Sequence, residues 1–213
     1  MTQNHPPTLT FAQACDRLET LLARESRTLL GIIGPPGAGK STLSTRLQAL
    51  HPERSQIVPM DGFHLANVEL ARLGRAGRKG APDTFDSHGY VALLRRLRGQ
   101  TAEETVYAPE FRREIEEPIA GAIPIFAQAQ LLIAEGNYLA LDEGGWRHVA
   151  PLLDEIWFVD VDPALRMQRL VARHMQFGRS EQAAIEWARS TDEPNARLIE
   201  STLPRVHFKV SVE

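Results

Sequence analysis

The chain carries one string that fixes its local geometry more than any other, Gly34-Pro35-Pro36-Gly37-Ala38-Gly39-Lys40-Ser41. It lies between a short continuous apolar run, Thr28 to Ile33, and a helical stripe of Leu43, Leu47 and Leu50. That is a full G-x-x-x-x-G-K-S/T pattern in strand-to-helix context, the sequence form of a phosphate-binding loop. Gly37 and Gly39 let backbone N–H groups turn inward around phosphate oxygens, and the helix that follows offers free donors and its positive dipole end. Lys40 adds a point charge at the β and γ phosphates, and the Ser41 hydroxyl can ligate Mg²⁺. Gly34 to Thr42 is therefore the expected nucleotide-binding segment.

The rest of the chain alternates between short apolar runs and helical stripes. Thr10 and Gln13 have capping-box spacing ahead of Phe11, Cys15, Leu18 and Leu22, which predicts an N-terminal helix with Cys15 as a small core residue. Ile57 to Met60, Thr105 to Tyr107, Ala129 to Glu135, Glu155 to Asp160 and Val206 to Val212 read as strands. Tyr90, Leu93, Leu94 and Leu97 mark a helix entered at Asp86 or Ser87 and closed by Gly99, and Asp162-Pro163 opens another. Such alternation predicts an α/β domain with a parallel sheet, helices on both faces and ligands at the C-terminal strand ends. Met1 to Thr8 reads as a short flexible leader.

Composition narrows the partners. A net charge of −3 over 213 residues argues against a general nucleic-acid or membrane-surface binder. No apolar run approaches the roughly 18 residues of a membrane span. The lone Cys15 leaves no internal disulfide or cysteine-cluster metal site, which suits a cytoplasmic protein. No repeat or linker divides the chain, so residues 1–213 read as one domain.

Four further segments accompany the phosphate loop: Met60-Asp61-Gly62-Phe63-His64, the stretch Arg78 to Asp86, Leu131 to Leu139 with Glu135-Gly136-Asn137-Tyr138, and the Arg-rich stretch Arg166 to His174. With Asp192-Glu193-Pro194-Asn195-Ala196, the string resembles the P-loop small-molecule kinases that include bacterial pantothenate kinase, uridine kinase and phosphoribulokinase. It is most similar to a nucleoside/nucleotide kinase branch with some fructokinase-like members. The resemblance implies a three-layer P-loop nucleoside triphosphate hydrolase fold with a mainly parallel central sheet and a helical Arg-rich lid at about residues 163–190. It also implies ATP and Mg²⁺ as cofactors.

Asp61 follows a strand, where a carboxylate can accept a hydroxyl proton, and the resemblance gives the matching Asp that role. Glu135 ends an apolar strand and, with Ser41, is the expected Mg²⁺ partner. Arg166, Arg169 and Arg173 stand on one helical face. The resemblance makes Arg169 and Arg173 catalytic together with Lys40 and Asp61, closing over the triphosphate as a lid. Phe63, His64, Arg78, Lys79, Tyr107 and Arg113 are the expected substrate-binding residues. The segment Tyr107 to Arg113 replaces one that carries a substrate-contacting His in pantothenate and uridine kinases, so neither substrate is implied.

The combined expectation is an ATP-dependent kinase that phosphorylates a hydroxyl of a small pantothenate-, nucleoside- or sugar-like metabolite. It binds no nucleic acid and no membrane, and a homodimer stays open. The competing expectation is a nucleotide-dependent ATPase or regulatory switch without a small-molecule acceptor.

Overall fold

The computed structural model describes residues 6–211. In chain order these form β1 (Thr8–Leu9), α1 (Phe11–Leu22), β2 (Thr28–Ile33), α2 (Lys40–Leu50), β3 (Ser55–Pro59), α3 (Asn67–Arg72), α4 (Ser87–Arg98), β4 (Thr105–Arg112), β5 (Glu117–Phe126), β6 (Leu131–Glu135), β7 (Glu155–Asp160), α5 (Pro163–Gln176), α6 (Glu181–Trp187), α7 (Glu193–Glu200) and β8 (Phe208–Ser211). Six strands make one sheet in the order β1-β8-β7-β2-β6-β3, and every pairing in it is parallel.

The central strands alternate their contacts between two cores. Leu29, Ile33, Val58, Leu132, Ala134, Ile156 and Phe158 face one side, where Tyr90, Leu94 and Leu97 of α4 pack with Tyr138 and Trp146. Leu30, Ile32, Leu131, Ile133, Trp157 and Val159 face the other, against Leu18 and Leu21 of α1 and Leu43 and Leu47 of α2. The result is a three-layer α/β fold. Burial on both faces explains why β2, β6 and β7 read as continuous apolar runs rather than alternating ones.

Several expectations are corrected. The leader expectation for Met1 to Thr8 covers residues 1–5, outside the described residues, but Thr8 and Leu9 pair with Lys209 and Val210 and extend the sheet by a strand. The last strand is Phe208–Ser211; Val212 lies outside the described residues. Cys15 is half-buried, because the α1 stripe is centred on Ala14, Leu18, Leu21 and Leu22 instead. The run at Thr105 to Tyr107 does not enter the parallel sheet. It begins β4, which pairs antiparallel with β5 as a separate hairpin.

Gln56 and Arg27 are among the side chains that fasten that hairpin to the body. Gln56 of β3 accepts from Phe126 N (2.7 Å) and donates to Pro124 O (3.0 Å). Arg27, just ahead of β2, donates to the carbonyls of Leu97, Phe126, Ala127 and Ala129 and to Gln100 Oε1. Its guanidinium joins the end of α4 to the end of β5. Arg27→Met removes all five bonds and leaves carbonyls without partners, so it should cost about 3 kcal/mol and lower Tm by about 6–12 °C in a thermal scan.

Candidate active site

The register of the sheet assembles the site. Glu135, the last residue of β6, pairs with Ile32 on one side and Pro59 on the other, so the three strands end together. The chain leaves β2 into the glycine-rich loop, with Gly37 at φ +80° and Gly39 at φ +97°, a region that favours glycine. Gly37 also sits under α5: a Cβ there would stand 2.8 Å from Leu170 Cγ and 3.1 Å from Arg166 O.

Lys40 folds back and donates to Pro35 O (3.2 Å), and Ser41 Oγ donates to Glu135 Oε2 (3.2 Å). Burial pushes the Lys40 pKa down, while Glu135 and Asp61 pull it back up and Arg173 and Arg113 add to the fall. Burial likewise raises the Glu135 pKa, opposed by Lys40. A buried cation at the start of α2, beside a hydroxyl and a carboxylate in contact, fits a polyphosphate and the hard oxygen-seeking Mg²⁺ that accompanies it. Ser41 and Glu135 are the residues that would hold that ion.

The second wall starts where β3 ends. Asp61 opens a short turn, and the same segment pairs with residues 84–86 through Leu65 N to Thr84 O (2.9 Å) and Asp86 N to Phe63 O (2.8 Å). The His64 ring lies between Phe85 and Phe111, at centroid distances of 3.9 and 4.5 Å, and its Nδ1 donates to Asp61 O (2.7 Å). Burial lowers the His64 pKa. The loop bearing Lys79 is hung from the core, with Tyr138 Oη donating to Gly80 O (2.5 Å) and Trp146 Nε1 to Pro82 O (2.9 Å). The β4–β5 hairpin supplies Phe111, Glu116 and Arg113, whose Nη2 stands 3.5 Å from Asp61 Oδ2. Gly62 is pressed against the hairpin, since a Cβ there would lie 2.1 Å from Pro109 O.

Arg173 and His174 of α5, Arg179, Trp187 of α6 and Asp192 close the remaining side of a cavity of about 520 Å³. His174 Nε2 lies 2.7 Å from Asp192 Oδ2, at the end of a π-helical segment, Ala188–Asp192, that joins α6 to α7.

No family model matches the chain. A candidate uridine kinase of Schizosaccharomyces pombe is 32% identical over 209 residues, covering 93% of this chain and 88% of that one. The ATP-dependent kinase-like protein notR' of Aspergillus versicolor is 38% identical over 154 residues, 68% of this chain and 90% of its own. The crystal structure of a candidate fructose transport system kinase from Silicibacter sp. TM1040 superposes with a TM-score of 0.85 at 37% identity, covering 94% and 98% of the two chains. The chain belongs to the P-loop small-molecule kinase family. It is an ATP-dependent phosphotransferase whose acceptor is an alcohol group. Among the described residues no helix is long and apolar enough to cross a membrane.

This kinase brings together Pro36, Lys40, Ser41, Asp61, His64, Lys79, Arg113, Glu135 and Arg173 from the sequence expectations. Others stand elsewhere. Arg78 is exposed and tied to Asp83 in an ion pair, so its charge is already answered outside the cavity. Phe63 packs edge-on to Tyr90 (5.2 Å) as part of the core. Tyr107 points out, 56% exposed, because Val106 and Ala108 take the inward positions of β4. The three lid arginines do not share one environment either. Leu170 packs on Gly37, which turns the 166-170-173 stripe inward: Arg166 is buried in an ion pair with Glu193, Arg173 reaches the cavity, and Arg169 is left exposed beside it. Sequence reasoning missed Phe111, Asn67 and Glu116, which only the unforeseen hairpin and the loop ahead of α3 bring in, and gave no role to Asn137, Asp192 and Asn195 within the strings it singled out.

Gly62→Ala should displace Pro109 and with it the hairpin wall. Steady-state kinetics should show kcat/KM for the acceptor down by about tenfold or more, with ATP affinity within about twofold of the parent.

Proposed function

We propose that this protein transfers the γ-phosphoryl group of Mg²⁺-bound ATP to a hydroxyl of a small metabolite held between Asp61, His64 and the β4–β5 hairpin. The observation that supports this reading is the two-sided cavity. Lys40, Ser41 and Glu135 line its phosphate side, and Asp61, His64, Lys79 and Phe111 line a second side with room for another molecule. An ATPase or switch needs only water beside the phosphates and gives that second wall no use.

Bound ATP would supply the phosphoryl group and an electrophilic phosphorus, and Mg²⁺ would offset the charge of the phosphates. The loop amides and Lys40 hold the phosphates. Ser41 and Glu135 hold the metal. Asp61 takes the hydroxyl proton as the acceptor oxygen attacks, leaving a phosphate ester and ADP. Arg173, and Arg113 beside Asp61, neutralise charge as the group moves, so positioning and electrostatics account for most of the acceleration. Arg169, exposed on the outer side of α5, is not assigned a part.

A panel of polyols, hydroxy acids and nucleosides tests the reading by ADP release and by detection of a phosphorylated product. Release that no acceptor stimulates would favour the ATPase. Asp61→Asn keeps shape but loses the basic oxygen, so transfer should fall by about 10²–10⁴ with nucleotide affinity nearly unchanged. Full transfer by this variant would remove Asp61 as the base. Glu135→Gln should raise the Mg²⁺ concentration for half-maximal rate several-fold, measured by titration at fixed ATP.

A further inference from the structure

Of 24 Lys and Arg residues only three are lysines, Lys40, Lys79 and Lys209. Lys40 belongs to the phosphate loop, and Lys209 is paired with Asp160 (2.6 Å). Lys79 differs from both. Its Nζ donates to Asn67 Oδ1 (2.6 Å) and to the Glu116 carbonyl, two neutral acceptors, and lies 5.2 Å from the Phe111 ring centroid. Glu116 and Glu117 are close enough to act on it electrostatically, yet neither forms an ion pair with it among the described residues, and the Glu117 carboxylate accepts from Asn67 N (3.0 and 3.1 Å) instead. The direct partners of this half-buried ammonium on the cavity wall are thus both neutral, and its charge is answered only at a distance by Glu116 and Glu117.

His64 adds a second requirement. Its Nδ1 faces the Asp61 carbonyl, which can only accept, so Nδ1 carries the hydrogen; in this buried ring, packed on Phe85 and Phe111, Nε2 is left as the acceptor of a residue that lines the cavity. It can receive a hydroxyl hydrogen and offers nothing to an anion. The two groups therefore read different ends of one molecule.

We propose that the acceptor is a hydroxylated anion, a polyol skeleton bearing a carboxylate or a phosphate, with its anionic group on Lys79 and one hydroxyl donating to His64 Nε2. This rests on the kinase reading of the same cavity. It excludes neutral nucleosides and free sugars as preferred acceptors. The competing role for Lys79 is a latch that only holds the hairpin through Glu116.

The experiment uses the whole chain with ATP and Mg²⁺ and matched acceptor pairs that differ in charge: glycerate and glycerol, pantothenate and pantothenol, a hexose phosphate and the free hexose. An anionic member should be phosphorylated with kcat/KM at least about tenfold above its neutral partner, the carboxylate and phosphate pairs telling which anion is read. Lys79→Met should collapse that ratio toward one, and Lys79→Arg should restore part of it. Neutral partners used equally well would overturn the subsite while leaving the kinase standing. An equal loss on both members in Lys79→Met would leave only the latch. Acylation of Lys79 by an amine-reactive ester, mapped by peptide mass in protein loaded with a non-hydrolysable ATP analogue, reads binding without turnover. Anionic members should protect Lys79 and neutral ones should not; absence of protection by every anion overturns the proposal. Protection without any phosphorylated product would instead keep the anion subsite and defeat the kinase reading of the cavity.

Discussion

The site depends on the parallel pairing of β6 between β2 and β3. Glu135 is opposite Ile32 and Pro59 at once, and its carbonyl accepts from Met60 N (2.7 Å), so the chain following each strand departs from the same edge. A parallel strand can be held in that position only by neighbours on both sides and by apolar cover on both faces. A slip of β6 by one residue would turn Glu135 away and drive its apolar neighbours into the wrong core. The phosphate loop, the metal-seeking carboxylate and the Asp61 turn are thus placed by backbone hydrogen bonds and by leucine, isoleucine and valine packing, far more than by contacts among themselves.

A buried Lys40 and a half-buried Glu135, each with its pKa displaced against its charged form, show the cost of that arrangement in the absence of ligand. Each moderates the other. Polyphosphate and a divalent ion would complete both, so the protein holds a charge pattern suited to a complex rather than to itself.

Much of this was legible in the sequence where local chemistry and tertiary position agree. The glycine-lysine-serine string, the capping box at Thr10 and Gln13, Asp162-Pro163 at the start of α5 and the acid closing β6 each carry their own physical reason to be where they are. The misses have a common cause. Residue type, spacing and resemblance single out Tyr107, Arg78 and Arg169, but packing sets their directions: the inward placing of Val106 and Ala108, the Asp83 carboxylate, and the contact of Leu170 with Gly37. The hairpin escaped notice because β5 mixes Pro118, Gly121 and Pro124 with its isoleucines and shows no clean period. With it went Phe111 and Glu116, and so part of the cavity's second wall.

The seating of Leu170 on Gly37 pins α5 to the phosphate loop at mid-length. Its first half is joined through Arg166 and Glu193 to α7, and its second half carries Arg173 and His174 along the cavity, with His174 against Asp192. Movement of the loop would therefore bear on α5 through Leu170 and the Arg166 carbonyl. Such coupling would be reciprocal, a shift of α5 bearing on the loop as much as the loop bears on α5.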